Sequence, residues 1–395
     1  MRQGWGFREF GPRRPRPAQR VRTAGISLPA DRLDRRRAIR EHCRPIPGIY
    51  GMIDAQGELI YVGKSKSLCD RLLSYCTPAA EESKSGRIIQ RAVRLVWETA
   101  ADEFAALLRE LELIRRFRPQ FNVQGQPERL RRSFVCLGRS PAAYAYLAGS
   151  PSARSDFCFG PLPGVTRWRD AVRRLNDVFG LRDCSDRVPI RFADQRELFV
   201  EPRAPACIRH ELGTCLGPCA ARCTSGDYAD RLAAAAAFLR GDEDTLLPRL
   251  EATMRSAAAA GQYERAATVR DTLADLGRLR EQLQCLTDAR GHYRFVYPLP
   301  ASRGGETWYL LRRGQVAAAV RAPRDRRSAD RCLDRLDTVY FHPPEDSPPM
   351  PEDLDFLLLV PSWFKRHPGE LLRTLTPEAA AEACRNRAGS RVHAA

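Results

Sequence analysis

The chain has 395 residues, a formal charge of +17 and 43% hydrophobic content, a length that predicts several domains rather than one core. Its basic balance favours sequence-independent attraction to phosphate without defining an activity. No apolar run approaches the roughly 18 residues of a membrane span, and 13 cysteines are too dilute for a disulfide scaffold.

Residues 1–45 hold 13 arginines against four acids, so over half of the excess charge sits in a Pro/Arg/Gly-rich leader. That composition predicts disorder. The leader reads as a DNA-contacting arm or as the product of a misassigned start; Asp31, Asp34 and Glu41 argue against a transit peptide.

Two β-prone runs follow, 48–53 and 58–63, joined by the turn-forming string Asp54-Ala55-Gln56-Gly57. They predict an antiparallel hairpin in which Ile53 faces Glu58 and Tyr50 faces Tyr61. Ser67 to Tyr75 can be helical, so Arg71 and Tyr75, four apart, project from one face behind Lys64. A cation and two phenols then converge. A longer helix, Asp102 to Phe117, carries Phe104, Leu107, Leu108, Leu111 and Ile114 as a core-facing stripe with Glu110 beside it. Pro119 ends it, and Asn122 sits on the short segment beyond.

The strings Gly48-Ile49-Tyr50 and Tyr61-Val62-Gly63 resemble the motif that names the GIY-YIG nucleases, and the positions after them resemble the UvrC type. A lone helix glutamate is most often a solvated charge, and paired strand tyrosines are usually packing. Seven positions filled in order, Tyr50, Tyr61, Lys64, Arg71, Tyr75, Glu110 and Asn122, outweigh those readings. Lysine is rare in this arginine-biased chain, yet two of the four fall in Gly63-Lys64-Ser65-Lys66.

The resemblance implies phosphodiester hydrolysis, with Glu110 holding Mg²⁺ (or Mn²⁺) and Asn122 supporting the site. One carboxylate suffices for magnesium, which keeps several waters and takes substrate phosphate. Tyr61 or Tyr50 is the expected base, and Lys64 and Arg71 are expected to favour its phenolate. Arg71 would clamp the phosphate with its planar fork, and Tyr75 would hydrogen-bond a phosphate oxygen.

The stretch from Phe159-Gly160-Pro161 to Cys184 is similar to the linker that follows the UvrC nuclease domain, and five cysteines, Cys184, Cys207, Cys215, Cys219 and Cys223, follow in 40 residues. Such clustering suggests a metal. The resemblance implies a [4Fe–4S] cluster on Cys184, Cys207, Cys215 and Cys219, with Cys223 as alternate; zinc or buried unliganded thiols remain open. Glu243 to Ala258 and Gln262 to Gln284 predict a helical hairpin. Within it, Tyr263 to Asp271 resembles the UVR motif through which UvrC meets the B subunit, and Tyr263, Ala267, Arg270 and Leu273 share a face.

The last 110 residues predict strands at Tyr293 to Tyr297, Thr307 to Leu311 and Val316 to Arg321, then helices near Ser328 to Leu336 and Leu354 to Arg366. No Asp/Asp/His constellation is visible there, and the segment is similar to the small C-terminal extension of stand-alone UvrC-like proteins. The expected fold class is α/β plus α: a leader (1–45), a GIY-YIG endonuclease domain (46–124), a cysteine-bearing connector (125–240), a UVR-like helical hairpin (241–285) and a small α+β C-terminal domain (286–395).

The resemblance implies one incision 3′ to a lesion, in the bacterial cytoplasm and at the nucleoid when active. The implied partners are damaged double-stranded DNA, a UvrB-like subunit and, indirectly, UvrA, with no membrane. A noncatalytic DNA- or UvrB-binding adaptor is the alternative. A mobile-element nuclease has no reason to carry both the cysteine cluster and the hairpin.

Overall fold

The computed structural model describes residues 7, 9–10, 23–78, 82–123, 131–151, 155–195, 207–301, 304–342 and 353–389. The chain forms two compact units, one of residues 1–127 with 289–395 and one of residues 128–288.

The first unit is built on a four-stranded antiparallel sheet. Strands β1 (Ala24–Ser27), β2 (Gly48–Asp54), β3 (Leu59–Ser65) and β4 (Ala92–Thr99) lie in the order β1-β4-β2-β3. Helix α1 (Arg32–His42) starts where Asp31 Oδ1 accepts from the Leu33 and Asp34 amides, satisfying donors a helix start leaves open. Helices α2 (Leu68–Ser74) and α3 (Lys84–Arg91) precede β4. Helix α4 (Glu103–Phe117) ends at Arg118, whose left-handed backbone (φ 46°) turns the chain into Pro119 and the short α5 (Gln120–Val123).

The leader departs from the expected disorder over its described residues. Ala24–Ser27 adds a strand to the sheet and 32–42 is helical. Phe10 is fully buried in the core with Ile49, Val62 and Val96. Its ring fills the space above Gly51, where a Cβ would stand 3.0 Å from Phe10 Cζ. An arginine-rich composition hid these few apolar anchors.

The second unit holds β5 (Arg132–Gly138), β6 (Tyr144–Ala148) and β7 (Ser155–Pro163), antiparallel in the order β6-β5-β7. Cys136 and Cys158 face each other across β5 and β7 and form a disulfide, a pairing not foreseen from the sequence. Helix α6 (Thr166–Phe179) packs on β6, where buried Asn176 bonds both the amide and the carbonyl of Ala145 at 2.9 Å. After α7 (Ile208–Glu211), helix α8 (Ser225–Arg240) opens on a reciprocal cap between Thr224 and Asp227. Helices α9 (Leu246–Ala259) and α10 (Tyr263–His292) form the expected hairpin, with α10 running eight residues beyond the expected Gln284.

The C-terminal residues return to the first unit instead of standing as a separate small domain. Strands β8 (Phe295–Pro300), β9 (Glu306–Arg312) and β10 (Gln315–Arg321) pair in the order β10-β9-β8, followed by α11 (Arg326–Leu336), α12 (Asp353–Arg366) and α13 (Pro377–Gly389). One core cluster joins Phe104 and Leu108 of α4 to Tyr297, Tyr309, Val360 and Trp363 of this segment.

Candidate active site

The site starts from the β2/β3 register. Asp54 Oδ1 accepts from the Gln56 and Glu58 amides, and Gly57 takes the left-handed conformation (φ 78°) that closes the turn. The strands then pair Tyr50 with Gly63 and Met52 with Tyr61, with a shift between Met52 and Ile53. The expected pairing of Tyr50 with Tyr61 is therefore offset by two residues. A two-residue offset preserves the face, because strand side chains alternate with period two. Tyr50 and Tyr61 still stand side by side, ring centroids 6.1 Å apart.

Gly63 makes room for this arrangement. A Cβ at Gly63 would lie 2.6 Å from Tyr50 Cζ and Oη and 3.0 Å from Tyr61 Cε1. The glycine is thus needed for its missing side chain, opposite the phenol it admits.

Leu68 and Leu72 bury one side of α2 and aim Arg71 and Tyr75 at the hairpin. Tyr50 Oη and Tyr75 Oη are 2.8 Å apart. Arg71 Nε donates to Tyr50 Oη at 3.2 Å, Arg71 Nη2 donates to Tyr75 Oη at 3.5 Å, and the guanidinium lies 5.0 Å from the Tyr75 ring centre. Three phenols and one guanidinium meet here, where the sequence led us to expect a cation and two phenols. Tyr50 and Tyr75 are buried, at 0% and 2% exposure, whereas Tyr61 keeps contact with solvent.

Helix α4 supplies the carboxylate. Glu110 Oε1 accepts from the Lys64 backbone amide at 3.2 Å, so strand β3 holds the glutamate directly. Asn122 grips the same strand, its Oδ1 accepting from Val62 N and its Nδ2 donating to Val62 O, both at 2.8 Å. The Lys64 ammonium lies 3.7 Å from Glu103, which Lys66 also meets at 2.9 Å. Sequence reading missed Glu103; it stands seven residues before Glu110, on the same helix face. Behind the site, Arg109 and Glu98, each 2% exposed, form a buried pair that Thr23 and Glu112 extend.

The electrostatics correct one expectation. Burial raises the Tyr50, Tyr61 and Tyr75 phenols above their ordinary range, and the Arg71 charge that pulls the other way does not outweigh it. Lys64 is engaged with Glu103. The phenols are therefore protonated at neutral pH, and the phenolate that Lys64 and Arg71 were expected to favour is a minor species. Burial also raises Glu110, against the opposing charges of Lys64 and Arg71. A half-buried carboxylate raised in this way gains from a cation. One such group fits a magnesium-type ion that brings its own waters.

The five cysteines lie within the second unit. Cys184, Cys207 and Cys219 are half-buried, and Cys215 and Cys223 are buried. Burial first, then the neighbouring Cys184 and Cys207 charges, raise both Cys215 and Cys219, so these four thiols are close enough to sense one another. Among the described residues, however, no three His, Cys, Asp or Glu side chains are grouped to hold a metal ion. Cys215 Sγ accepts from Gly217 N at 3.5 Å and Cys184 Sγ from Arg182 Nη1 at 3.8 Å. These bonds hold two of the sulfurs in place, and the described residues give no support for a [4Fe–4S] ligand set.

On the helical hairpin, Tyr263 is 74% exposed. Arg270 is exposed with its guanidinium on Asp271 at 2.8 Å, and Ala267 and Leu273 are half-buried.

Comparison with known proteins gives three family matches in chain order: a UvrC-like GIY-YIG domain over residues 46–123, the UvrC/Cho excinuclease middle domain over 140–238, and the UvrB/uvrC motif over 244–279. The UvrABC system protein C of Pseudomonas savastanoi pv. phaseolicola is 31% identical over 272 residues, 68% of this chain and 42% of that protein. The same protein of Shewanella denitrificans is 30% identical over 241 residues, 61% of this chain and 38% of that one. The chain thus spans about two fifths of the length of these relatives. The GIY-YIG N-terminal endonuclease domain of Thermotoga maritima UvrC, solved with its catalytic magnesium, is 35% identical. It covers 22% of this chain and 97% of its own, at a TM-score of 0.20.

Proposed function

We propose that this chain, which belongs to the UvrC family by its GIY-YIG domain, middle domain and UVR motif in that order, is a metal-dependent DNA endonuclease of nucleotide excision repair. It hydrolyses one phosphodiester 3′ to a lesion. The observation that carries this reading is the meeting of Tyr50, Tyr61, Tyr75 and Arg71 beside a carboxylate, Glu110, held on the backbone of the same hairpin. One such centre is seen among the described residues, in keeping with one cut per binding event.

Tyr61 is the better base of the two tyrosines, because Tyr50 Oη is enclosed by Tyr75 and Arg71 while Tyr61 reaches solvent. It takes the proton of the attacking water, whose oxygen bonds to phosphorus as the bond to the 3′ oxygen breaks. The scarcity of its phenolate limits the rate. After burial and its tyrosine neighbour, the Glu110 charge is a further cause of that scarcity. Arg71 clamps the phosphate with the edge it now turns to Tyr50 and Tyr75. Tyr75 donates to a phosphate oxygen. Lys64, through its amide, and Asn122, through Val62, keep strand and helix in register. Glu110 would hold Mg²⁺ or Mn²⁺, which when bound stabilises charge on the departing oxygen.

The exposed Tyr263, with Ala267 and Arg270, offers the face on which a UvrB-like subunit docks, UvrA acting through it; the DNA partner is a damaged duplex. No described helix is long and apolar enough to cross a membrane, and the proposed location is the cytoplasm. A noncatalytic adaptor is the weaker reading, since none of the seven site positions is substituted. No role is derived for an iron–sulfur cluster.

The test is nicking of ultraviolet-irradiated supercoiled plasmid by the full chain with Mg²⁺ and UvrA and UvrB proteins. A damage-dependent single nick, lost in Glu110→Gln, supports the reading. Intact plasmid alongside UvrB binding moves the protein to the adaptor class.

A further inference from the structure

At 3.6 residues per turn, helix α4 presents two neighbouring faces about 60° apart and a third about 130–170° away from them. Ala106 and Leu113 enter the sheet core with Ile49 and Val62. Glu103 and Glu110 turn toward Lys64. The third face, with Phe104, Leu108 and Arg115, is covered by the C-terminal segment. At the helix start, Asp102 caps the Ala105 amide with Oδ1 at 2.7 Å, while its Oδ2 accepts from Tyr309 Oη at 2.8 Å, across 207 positions of chain. Two residues on, the Phe104 ring meets Tyr297, Tyr309 and Trp363 at centroid distances of 5.5, 5.1 and 5.3 Å. In the last turn, Arg115 pairs with Asp355 at 2.5 Å. The contacts run from the cap of α4 to its end.

We propose that residues 289–389 act in cis as a buttress of the catalytic helix: Tyr309 and Asp355 are positioning residues that fix α4 along its axis and thereby set Glu110 for the cation it binds. Three considerations point to positioning rather than to stability alone. The contacts fall at both ends, a directional hydroxyl on the helix cap and an ion pair in the last turn. They fall on the helix that supplies the single metal carboxylate, and Glu110 is held on β3 by one backbone bond of 3.2 Å. A helix free to slide along its axis loses that bond first. Removal of the C-terminal segment would also expose the Phe104 ring, so the nuclease domain and this segment are one functional body.

The inference rests on Glu110 being the metal ligand, and its test reads metal binding rather than cutting. Mn²⁺ alone is titrated into the full chain and free ion is followed by electron paramagnetic resonance, for the native protein, Glu110→Gln, Tyr309→Phe and Asp355→Asn. The expected result is that Glu110→Gln abolishes the site while Tyr309→Phe and Asp355→Asn each weaken it about two- to tenfold, the value of one hydrogen bond or ion pair. Far-UV circular dichroism stays unchanged, as a purely structural role would leave Mn²⁺ affinity unchanged. If Tyr309→Phe does not fold, Asp355→Asn decides. Native affinity in the folded variants overturns the buttress and leaves the Glu110 assignment standing; affinity unaffected by Glu110→Gln overturns both.

Discussion

Gly63 and Tyr50 face each other across the hairpin so closely that a methyl group on the one would overlap the phenol of the other, at 2.6 Å from both Cζ and Oη. The active-site tyrosine exists in its position because its cross-strand partner has no side chain. Gly63→Ala is expected to displace Tyr50 from Tyr75 and Arg71 and to cost about 1–3 kcal/mol of stability, the range for overpacking a filled core. Thermal unfolding and incision rates of the variant check this; an unaltered rate would mean that the Tyr50 position is not critical.

Asn122 is expected to act on stability as well as on cutting. Asn122→Ala removes two 2.8 Å bonds and leaves the amide and carbonyl of Val62 unpaired. That costs about 1–3 kcal/mol. Asn122→Asp keeps the acceptor and loses the donor, so it should fall between the two. Denaturant unfolding of the three proteins gives the order.

The pH dependence of cutting follows from the raised phenols. With the Tyr61 phenol above its ordinary value, the phenolate fraction grows about tenfold per pH unit below that value. Incision should therefore rise with pH without a plateau below about pH 9. A rate that levels near pH 7 would assign the proton transfer to another group.

Asp102 gives a stability prediction of opposite sign to that of most carboxylates. Burial pushes it up to about 6, against the bonds from Ala105, Tyr309 and Phe104. Between about pH 4 and pH 6 the folded state then holds a proton that the unfolded state has released, so this group's contribution falls as pH rises through that window and stays low above it. Asp102→Asn removes the buried charge and keeps one acceptor, Oδ1, for the helix cap, while its Nδ2 donates to Tyr309 Oη where the carboxylate accepted from it. It should be as stable as the native protein or more so at pH 7.5, by an amount on the order of 2–3 kcal/mol at most. A variant clearly less stable at pH 7.5 would show that the charge is needed.

The candidate-site residues were legible in the sequence because they are local in spacing: two tyrosines across one turn, a cation and a phenol one helical turn apart, a glutamate on an amphipathic helix. Their register was not legible, since the turn at Asp54 sets Ile53 against Leu59, one residue from the expected pairing, and the shift between Met52 and Ile53 adds the second. Phe10 and Tyr309 escaped for a different reason. Each makes its decisive contact far along the chain, with the sheet core and with Asp102, and neither lies in a periodic pattern. The cysteine spacing suggested a shared metal, but spacing fixes no side-chain direction, and among the described residues no three candidate ligands are grouped around one point. Iron content of anaerobically purified protein decides between the readings of these thiols: stoichiometric iron lost in Cys184→Ala would give them a cluster, and iron-free protein would leave them as hydrogen-bonded thiols.

The most direct test of the central claim is incision of an end-labelled duplex carrying one bulky lesion, with Mg²⁺ and UvrA and UvrB proteins, by native chain, Tyr61→Phe and Glu110→Ala. One cut 3′ to the lesion by the native chain, lost in both variants, is the predicted result. No cut by any of the three, or a cut that survives both substitutions, would contradict it.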